Sequence, residues 1–343
     1  MTQEHYANGV DLPGPLGVAL GPTADRLTQE LVEAAMAGAA ELGLETRIVR
    51  PGDDQSGLGA LLGIGYQGSF LPVFASPPRC RRIIWVGETL RPSSEMSRSV
   101  LSRVARSGAM EYLRFPLRLL RDAPLPGPLA RARASGTIEW VRARNLRDMA
   151  ALAGRVDRLV VTSRDRRAAL AAHGLDAVAI PFGYAEAVAG PIAAPAQPGR
   201  DLAIVTLARL HPRMVGRQSV VHAWQEEEPR LRILENVWGA ERNALLRRSK
   251  VVLNISRTPG DFIGLRIVLA LAAGAVVVTE PLADPFPFVP GGNFVQAPVT
   301  ELLDAARELI ADEPRRRRIA EAGQALLTQE LPMARCLSRA LSA

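Results

Sequence analysis

Short apolar runs alternate with helix-periodic segments along almost the whole chain, and this rhythm limits the fold more than any single motif does. PLGVAL (15–20) reads as a buried strand, Gly21-Pro22-Thr23 turns it, and a helix near 24–42 follows with apolar residues at helical spacing. ETRIVR (45–50), RRIIWVG (81–87) and DRLVVTS (157–163) supply further strands, and a helix over 164–173 follows the last of them. AVAIPFGY (177–184) closes the pattern. Strands alternating with helices build a parallel sheet covered on both faces, the doubly wound α/β class.

The stretch AEAVAGPIAAPAQPGR (185–200) is rich in alanine and proline with little periodicity, which marks a linker. A second α/β unit follows it. DLAIVTL (201–207), LRILEN (231–236), KVVLNIS (250–256), AVVVTE (275–280) and NFVQAP (293–298) read as strands, with helices near 217–226, 239–249, 263–273, 299–311 and 313–327. The expected organisation is an N-terminal Rossmann-like domain over 1–184, the linker 185–200, and a second Rossmann-like domain over 201–329. Residues 330–343 form a last helix that folds back on the first domain. A chain of 343 residues, 48% hydrophobic, can bury the cores of two such units.

Net charge is +7, and it comes almost wholly from arginine, since Lys250 is the only lysine. The arginines are spread along the chain and aromatics are 5%, so neither a stacking platform nor a reading helix for nucleic acid is present. A phosphorylated small molecule suits the same charge, because a guanidinium grips phosphate with a planar, bidentate fork. Between 98 and 135, eight arginines are interrupted by Pro116, Pro124, Pro126 and Pro128; this reads as a solvated helix and loop, or as a basic flap against the cleft or an anionic membrane surface. Cys80 and Cys336 lie in no metal-ligand spacing, so no disulfide framework or zinc site is expected. No apolar run reaches the roughly 18 residues that span a bilayer, and MTQEHYANGVDLPGP lacks the order of a secretory signal, so the expected compartment is the cytoplasm.

The segment SRTPGDFIGLRIVLALAAGAVVVTE (256–280) runs from a strand end through a polar turn into a helix and a second strand. A helix N-terminus placed there offers free backbone N–H groups and the positive end of its dipole, which favour a diphosphate. Gly264 lets the backbone approach closely. From about 200 to 327 the sequence resembles the GT-B glycosyltransferases, particularly the large retaining class and the bacterial spore-maturation-like enzymes. Asp261, Gly264, Leu265, Ala270, Ala272, Gly274 and the strand 275–279 carry the resemblance, as does the closing helix pair IADEPRRRRIAEAGQALL (310–327).

The resemblance implies two Rossmann-like domains facing across a cleft, and sugar transfer from a nucleoside diphosphate donor to a small-molecule or glycan acceptor. It implies no cofactor beyond the donor and no metal. Relatives carry one glutamate at the position of Asp261, near the donor sugar, and a second on the ribose hydroxyls at the position of Leu269; leucine accepts no hydrogen bond. Glu280, at the end of the next strand, is a candidate replacement, and Phe262, Ile263, Gly264 and Leu265 complete the donor turn. In TLARLHPRMVGRQ (206–218), Arg209 and Leu210 match the Arg-Leu that relatives carry after the first strand of this domain. Arg213 or Arg217 could supply the basic residue that follows, and such charges neutralise a departing diphosphate without a metal.

On the opposite side of the cleft, Gly21 and Thr23 occupy a strand-to-helix turn, and Tyr66 and Gln67 follow an apolar run; all four are acceptor-side candidates. Glu88, after RRIIWVG, is the candidate general base, and Asp261 would orient the sugar. Each residue also has a plain structural use: an arginine as a surface cation, Asp261 as a helix cap, Gly21 as a turn former. Two rival functions share the architecture, a non-catalytic nucleotide-sugar-binding protein and a nucleotide-sugar epimerase. A NAD-dependent oxidoreductase is disfavoured, since no G-x-G-x-x-G follows the first strand.

Overall fold

A computed structural model of the chain describes residues 10–87, 145–195, 199–207, 215–256, 260 and 264–342. The first sheet contains β1 (Leu16–Ala19), β2 (Thr46–Val49), β3 (Ala60–Gly65), β4 (Arg81–Val86), β5 (Arg158–Val161) and β6 (Val178–Ala179), side by side as β2-β1-β3-β4-β5-β6. The second contains β7 (Leu202–Leu207), β8 (Leu231–Leu234), β9 (Ser249–Asn254), β10 (Val276–Thr279) and β11 (Val295–Gln296), side by side as β8-β7-β9-β10-β11. Every pairing is parallel. In both sheets the strand order reverses beside the first strand, between β1 and β3 and between β7 and β9. Doubly wound sheets bind ligands outside the carboxyl ends of strands at such reversal points.

The helices are α1 (Arg26–Glu41), α2 (145–153), α3 (Arg164–Ala171), α4 (Glu186–Ala189), α5 (Val215–Glu227), α6 (Gly239–Arg248), α7 (Gly264–Ala272), α8 (Leu302–Ala311), α9 (Glu313–Gln329) and α10 (Met333–Leu341). Successive residues of the central strands face opposite sides, so each sheet is buried twice. Val18, Leu62, Ile64 and Trp85 join one core with α1, while Leu61, Ile84 and Val86 join another with Phe70, Phe74 and Leu170. In the second sheet Val205, Val252 and Val277 pack against α7, and Ile204, Val251 and Val276 against α8 and α9.

Strand β3 was not among the strands read from the sequence, although all six of its residues are buried at the centre of the first sheet. Its glycines dilute the branched side chains that usually mark a strand. Gly63 is there because a Cβ would lie 2.6 Å from the ring of Phe70, packed directly on the strand. The connector 185–200 is also less loose than its composition suggests. It holds α4, Val188 and Ala189 are buried in the core that links α1 to α7, and Ala193 is buried as well.

After α9 the chain returns to the first sheet. The Tyr184 N–H donates to the Leu331 carbonyl and the Met333 N–H to the Tyr184 carbonyl, both at 2.7 Å, so the outgoing and returning segments are zipped together. α10 then lies against α1, and Arg81 Nη1 donates to the Leu341 carbonyl at 2.5 Å. A Cβ on Gly38 of α1 would fall 2.7 Å from Met333 Cγ and 3.0 Å from the Ala334 nitrogen. Gly38→Val is therefore expected to lift α10 and cost about 1–3 kcal/mol, the usual penalty of overpacking, read as a lower urea midpoint.

Glu228, buried just beyond α5, accepts from Arg230 Nε and Nη2 at 2.7 and 2.9 Å and from Arg307 Nε at 3.2 Å. The Arg230 hydrogen bonds, foremost, hold its carboxyl down from 4.5 to about 2. A depressed carboxylate stabilises the fold above its unfolded pKa and loses that contribution as pH falls through the folded one. Stability is expected to decline between about pH 4.5 and 2, and Glu228→Gln to flatten that decline in urea titrations across the window.

Candidate functional site

Each sheet has its reversal point, and the carboxyl ends of the strands there are where ligands bind in doubly wound sheets. At the first, β1 runs out into Gly21 and β3 into Tyr66 and Gln67. The Gly21 N–H donates to the Ser69 carbonyl at 2.7 Å, and a Cβ at 21 would lie 2.0 Å from that oxygen, so only glycine fits. Thr23 is exposed in the turn that enters α1. Asp25 caps α1, accepting the Thr28 N–H at 2.9 Å and its hydroxyl at 2.8 Å, and Thr28 Oγ1 stands 3.3 Å from Ser69 Oγ. Tyr66 is half-buried; Gln67 is fully buried and its Nε2 donates to Asn145 Oδ1. Gly21, Thr23, Tyr66 and Gln67 are thus gathered at one end of the first sheet.

In the second sheet, one strand along from the reversal between β7 and β9, β9 ends at Asn254 and the chain continues to Ser256, while β10 ends at Thr279 and is followed by Glu280. Asn254 Nδ2 donates to Thr279 Oγ1 at 2.9 Å, and the Ser256 N–H to Glu280 Oε1 at 2.6 Å. Arg266 Nη1 lies 3.4 Å from Asn254 Oδ1 and 3.5 Å from the Ile255 carbonyl. These groups form a buried polar row along the carboxyl edge of the sheet. Helix α7 starts beside it, with Gly264 and Leu265 buried. Leu269 is 3% exposed within the apolar core, which explains its chemistry: this turn of α7 faces packed side chains.

Glu88, Arg209, Arg213, Asp261, Phe262 and Ile263 lie outside the described residues. Arg217 falls in the first turn of α5, the helix that follows β7. Asn254, Ser256, Arg266 and Thr279 were not singled out from the sequence. Two signals pointed to them: a single cation in the otherwise apolar helix GLRIVLALA, and polar residues directly after apolar strand runs. Among the described residues no cluster of His, Cys, Asp or Glu could hold a metal ion, and no helix is long and apolar enough to cross a membrane.

The 280–289 loop also reaches the first domain. Asp284 accepts from the Arg164 N–H at 2.6 Å and from Arg164 Nε and Nη2 at 3.1 and 2.7 Å. Burial pushes the Asp284 carboxyl up, but the hydrogen bonds and charge of Arg164 outweigh it and hold the group below the usual carboxylate range.

With this geometry in view, the comparisons with known proteins are informative. Residues 200–340 match the family model described as glycosyl transferase-like. No curated protein sequence matches the chain. Among solved structures, Anabaena HepE in complex with UDP and glucose is 13% identical with a TM-score of 0.60, covering 96% of this chain and 98% of its own. AviGT4, a glycosyltransferase involved in avilamycin A biosynthesis, is 15% identical with a TM-score of 0.53, covering 95% and 96%. WaaG, a glycosyltransferase involved in lipopolysaccharide biosynthesis, is 10% identical with a TM-score of 0.52, covering 95% and 98%. The chain has the GT-B fold, two Rossmann-like domains facing across a cleft, and its second domain is glycosyl transferase-like. The narrower likeness to spore-maturation enzymes finds no support in these matches.

The polar row gives one direct test. Removing the Glu280 carboxylate leaves the buried Ser256 N–H without that acceptor, so Glu280→Ala is expected to cost roughly 1–3 kcal/mol. An unchanged urea midpoint would show that this contact carries no stability.

Proposed function

We propose that the protein is a metal-independent GT-B glycosyltransferase, moving a sugar from a nucleoside diphosphate donor on its second domain to a hydroxyl of a small-molecule or glycan acceptor against its first. The observation that carries this reading is the GT-B architecture of two doubly wound sheets, with the glycosyl transferase-like match on the domain that bears the polar row. HepE, which shares the fold, is solved with UDP and glucose, so uridine diphosphate is the first nucleotide to test. AviGT4 and WaaG, involved in avilamycin A and lipopolysaccharide biosynthesis respectively, motivate both acceptor classes.

In this reading Arg209, Arg213 and Arg217 and the amides around Gly264 stabilise the departing diphosphate, a role that preorganised donors fill in a water-poor cleft. Phe262, Ile263 and Leu265 shape the donor turn and Asp261 orients the sugar. Glu88 takes the acceptor proton, with Gly21, Thr23, Tyr66 and Gln67 on the acceptor side. Leu269 offers the ribose no acceptor; among the described residues, the polar row of Asn254, Ser256, Thr279 and Glu280 supplies such bonds at the edge of this sheet. No nucleic-acid partner is proposed. Free Cys80 and Cys336 suit a reducing compartment, and we place the protein in the cytoplasm.

The experiment is calorimetry with uridine diphosphate, followed by product analysis with UDP-glucose and added acceptor. Arg217→Ala is expected to weaken nucleotide binding about tenfold or more, the usual loss for a charged hydrogen bond. If no nucleoside diphosphate binds the wild-type chain, the donor assignment is wrong; if only Arg217→Ala binds normally, that residue leaves the mechanism.

A further inference from the structure

A single charged side chain stands on α7, and it stands at the end of the helix that suits a cation least. The helix reads GLRIVLALA; Gly264, Leu265 and every residue from Ile267 to Ala272 are buried, while Arg266 is half-buried. The first turn of a helix carries the positive end of its dipole, which disfavours a cation and favours an anion. Departures from local preference of this kind concentrate where a chain binds or reacts.

The Arg266 guanidinium lies at the carboxyl end of β9. Its Nη1 is 3.4 Å from Oδ1 of Asn254, the last residue of that strand, and 3.5 Å from the Ile255 carbonyl just beyond it. β9 is one of the two strands that flank the order reversal of the second sheet, and doubly wound sheets bind ligands outside the carboxyl ends at such a point. The other flanking strand is β7, and the helices that follow the two strands match: Arg217 is the third residue of α5, and Arg266 the third residue of α7.

The same sheet uses a different arginine as a structural staple, at its opposite edge. Arg200 Nη1 donates to the Ser249 carbonyl at 2.6 Å and its Nη2 to the Ala273 carbonyl at 2.7 Å, joining the segments that enter β9 and β10. Arg200 thus closes the amino edge, whereas Arg266 stands at the edge where ligands bind.

We infer that Arg266 binds the diphosphate of the nucleoside diphosphate donor. This inference rests on the glycosyltransferase reading above and adds a residue to it. A guanidinium offers phosphate oxygens a planar fork of N–H donors, and the bound anion also compensates the positive end of α7. Asn254 and the Ile255 carbonyl keep the fork at the strand end.

The test is titration calorimetry of the full chain with uridine diphosphate, and with uridine in competition against it. Arg266→Gln removes the charge but keeps an amide donor for Asn254. It is expected to weaken uridine diphosphate about tenfold or more and to leave uridine within about twofold. Arg266→Lys restores a point charge without the fork and should recover part of the loss. Arg266→Met, an apolar residue in an apolar helix, should repeat the loss and serves if the glutamine variant folds poorly. Equal weakening of both ligands, unchanged binding of uridine diphosphate, or a lysine variant no better than glutamine each overturns the inference while the donor reading stands. A wild-type chain that binds no nucleoside diphosphate overturns the donor reading itself, and the role of Arg266 with it.

Discussion

The arrangement of this molecule depends on one crossing. The chain leaves the first domain at 183–190 and returns at 331–333, and the two passages are joined by a reciprocal pair of backbone hydrogen bonds at Tyr184. Buried backbone groups need partners, so each passage satisfies the other where no strand of either sheet is available. Gly183 permits the contact, since a Cβ there would lie 2.7 Å from the Met333 Cα. Because α10 then packs on α1, the second domain is held by its own C-terminus against the helix that follows the first strand of the chain.

Both sheets are wholly parallel, so the strands of each end on one edge, and in each the strand order reverses beside its first strand. On one side the close approach of Gly21 to Ser69 shapes a narrow turn; on the other, Asn254, Ser256, Thr279 and Glu280 satisfy one another along the strand ends. A satisfied polar row in a buried position is rigid, which suits a surface that must present fixed hydrogen-bonding groups to a ligand. The burial of Leu269 fits the same picture, because α7 is used here as a packing element along nearly its whole length.

Much of this was legible in the residues. The strands with branched apolar side chains, such as IIWV in β4 and AVVVT through β10, announce themselves, and so does the amphipathic α1 with Asp25 at its cap. β3 did not, because its glycines serve contacts with the Phe70 ring and with the Leu31 and Thr28 side chains of α1, which a strand pattern does not reveal. The turn residues Gly21, Thr23, Tyr66 and Gln67 at the carboxyl end of the first sheet could be picked out because they follow apolar runs. The carboxylates that meet helix starts across the cleft could not, since Asp284 and Arg164 are 120 residues apart and Glu30 and Arg242 are 212 apart.

By itself the sequence determined the α/β class, the doubling of the domain and the helix that begins at Gly264. Those features rest on local periodicity and on backbone preferences that act within a few residues. Only the tertiary structure decided which strand ends lie side by side, which carboxylate caps which helix, and that the connector is part of the core. These depend on contacts between segments far apart in the chain, whose partners are chosen by packing and by the need to pair every buried polar group.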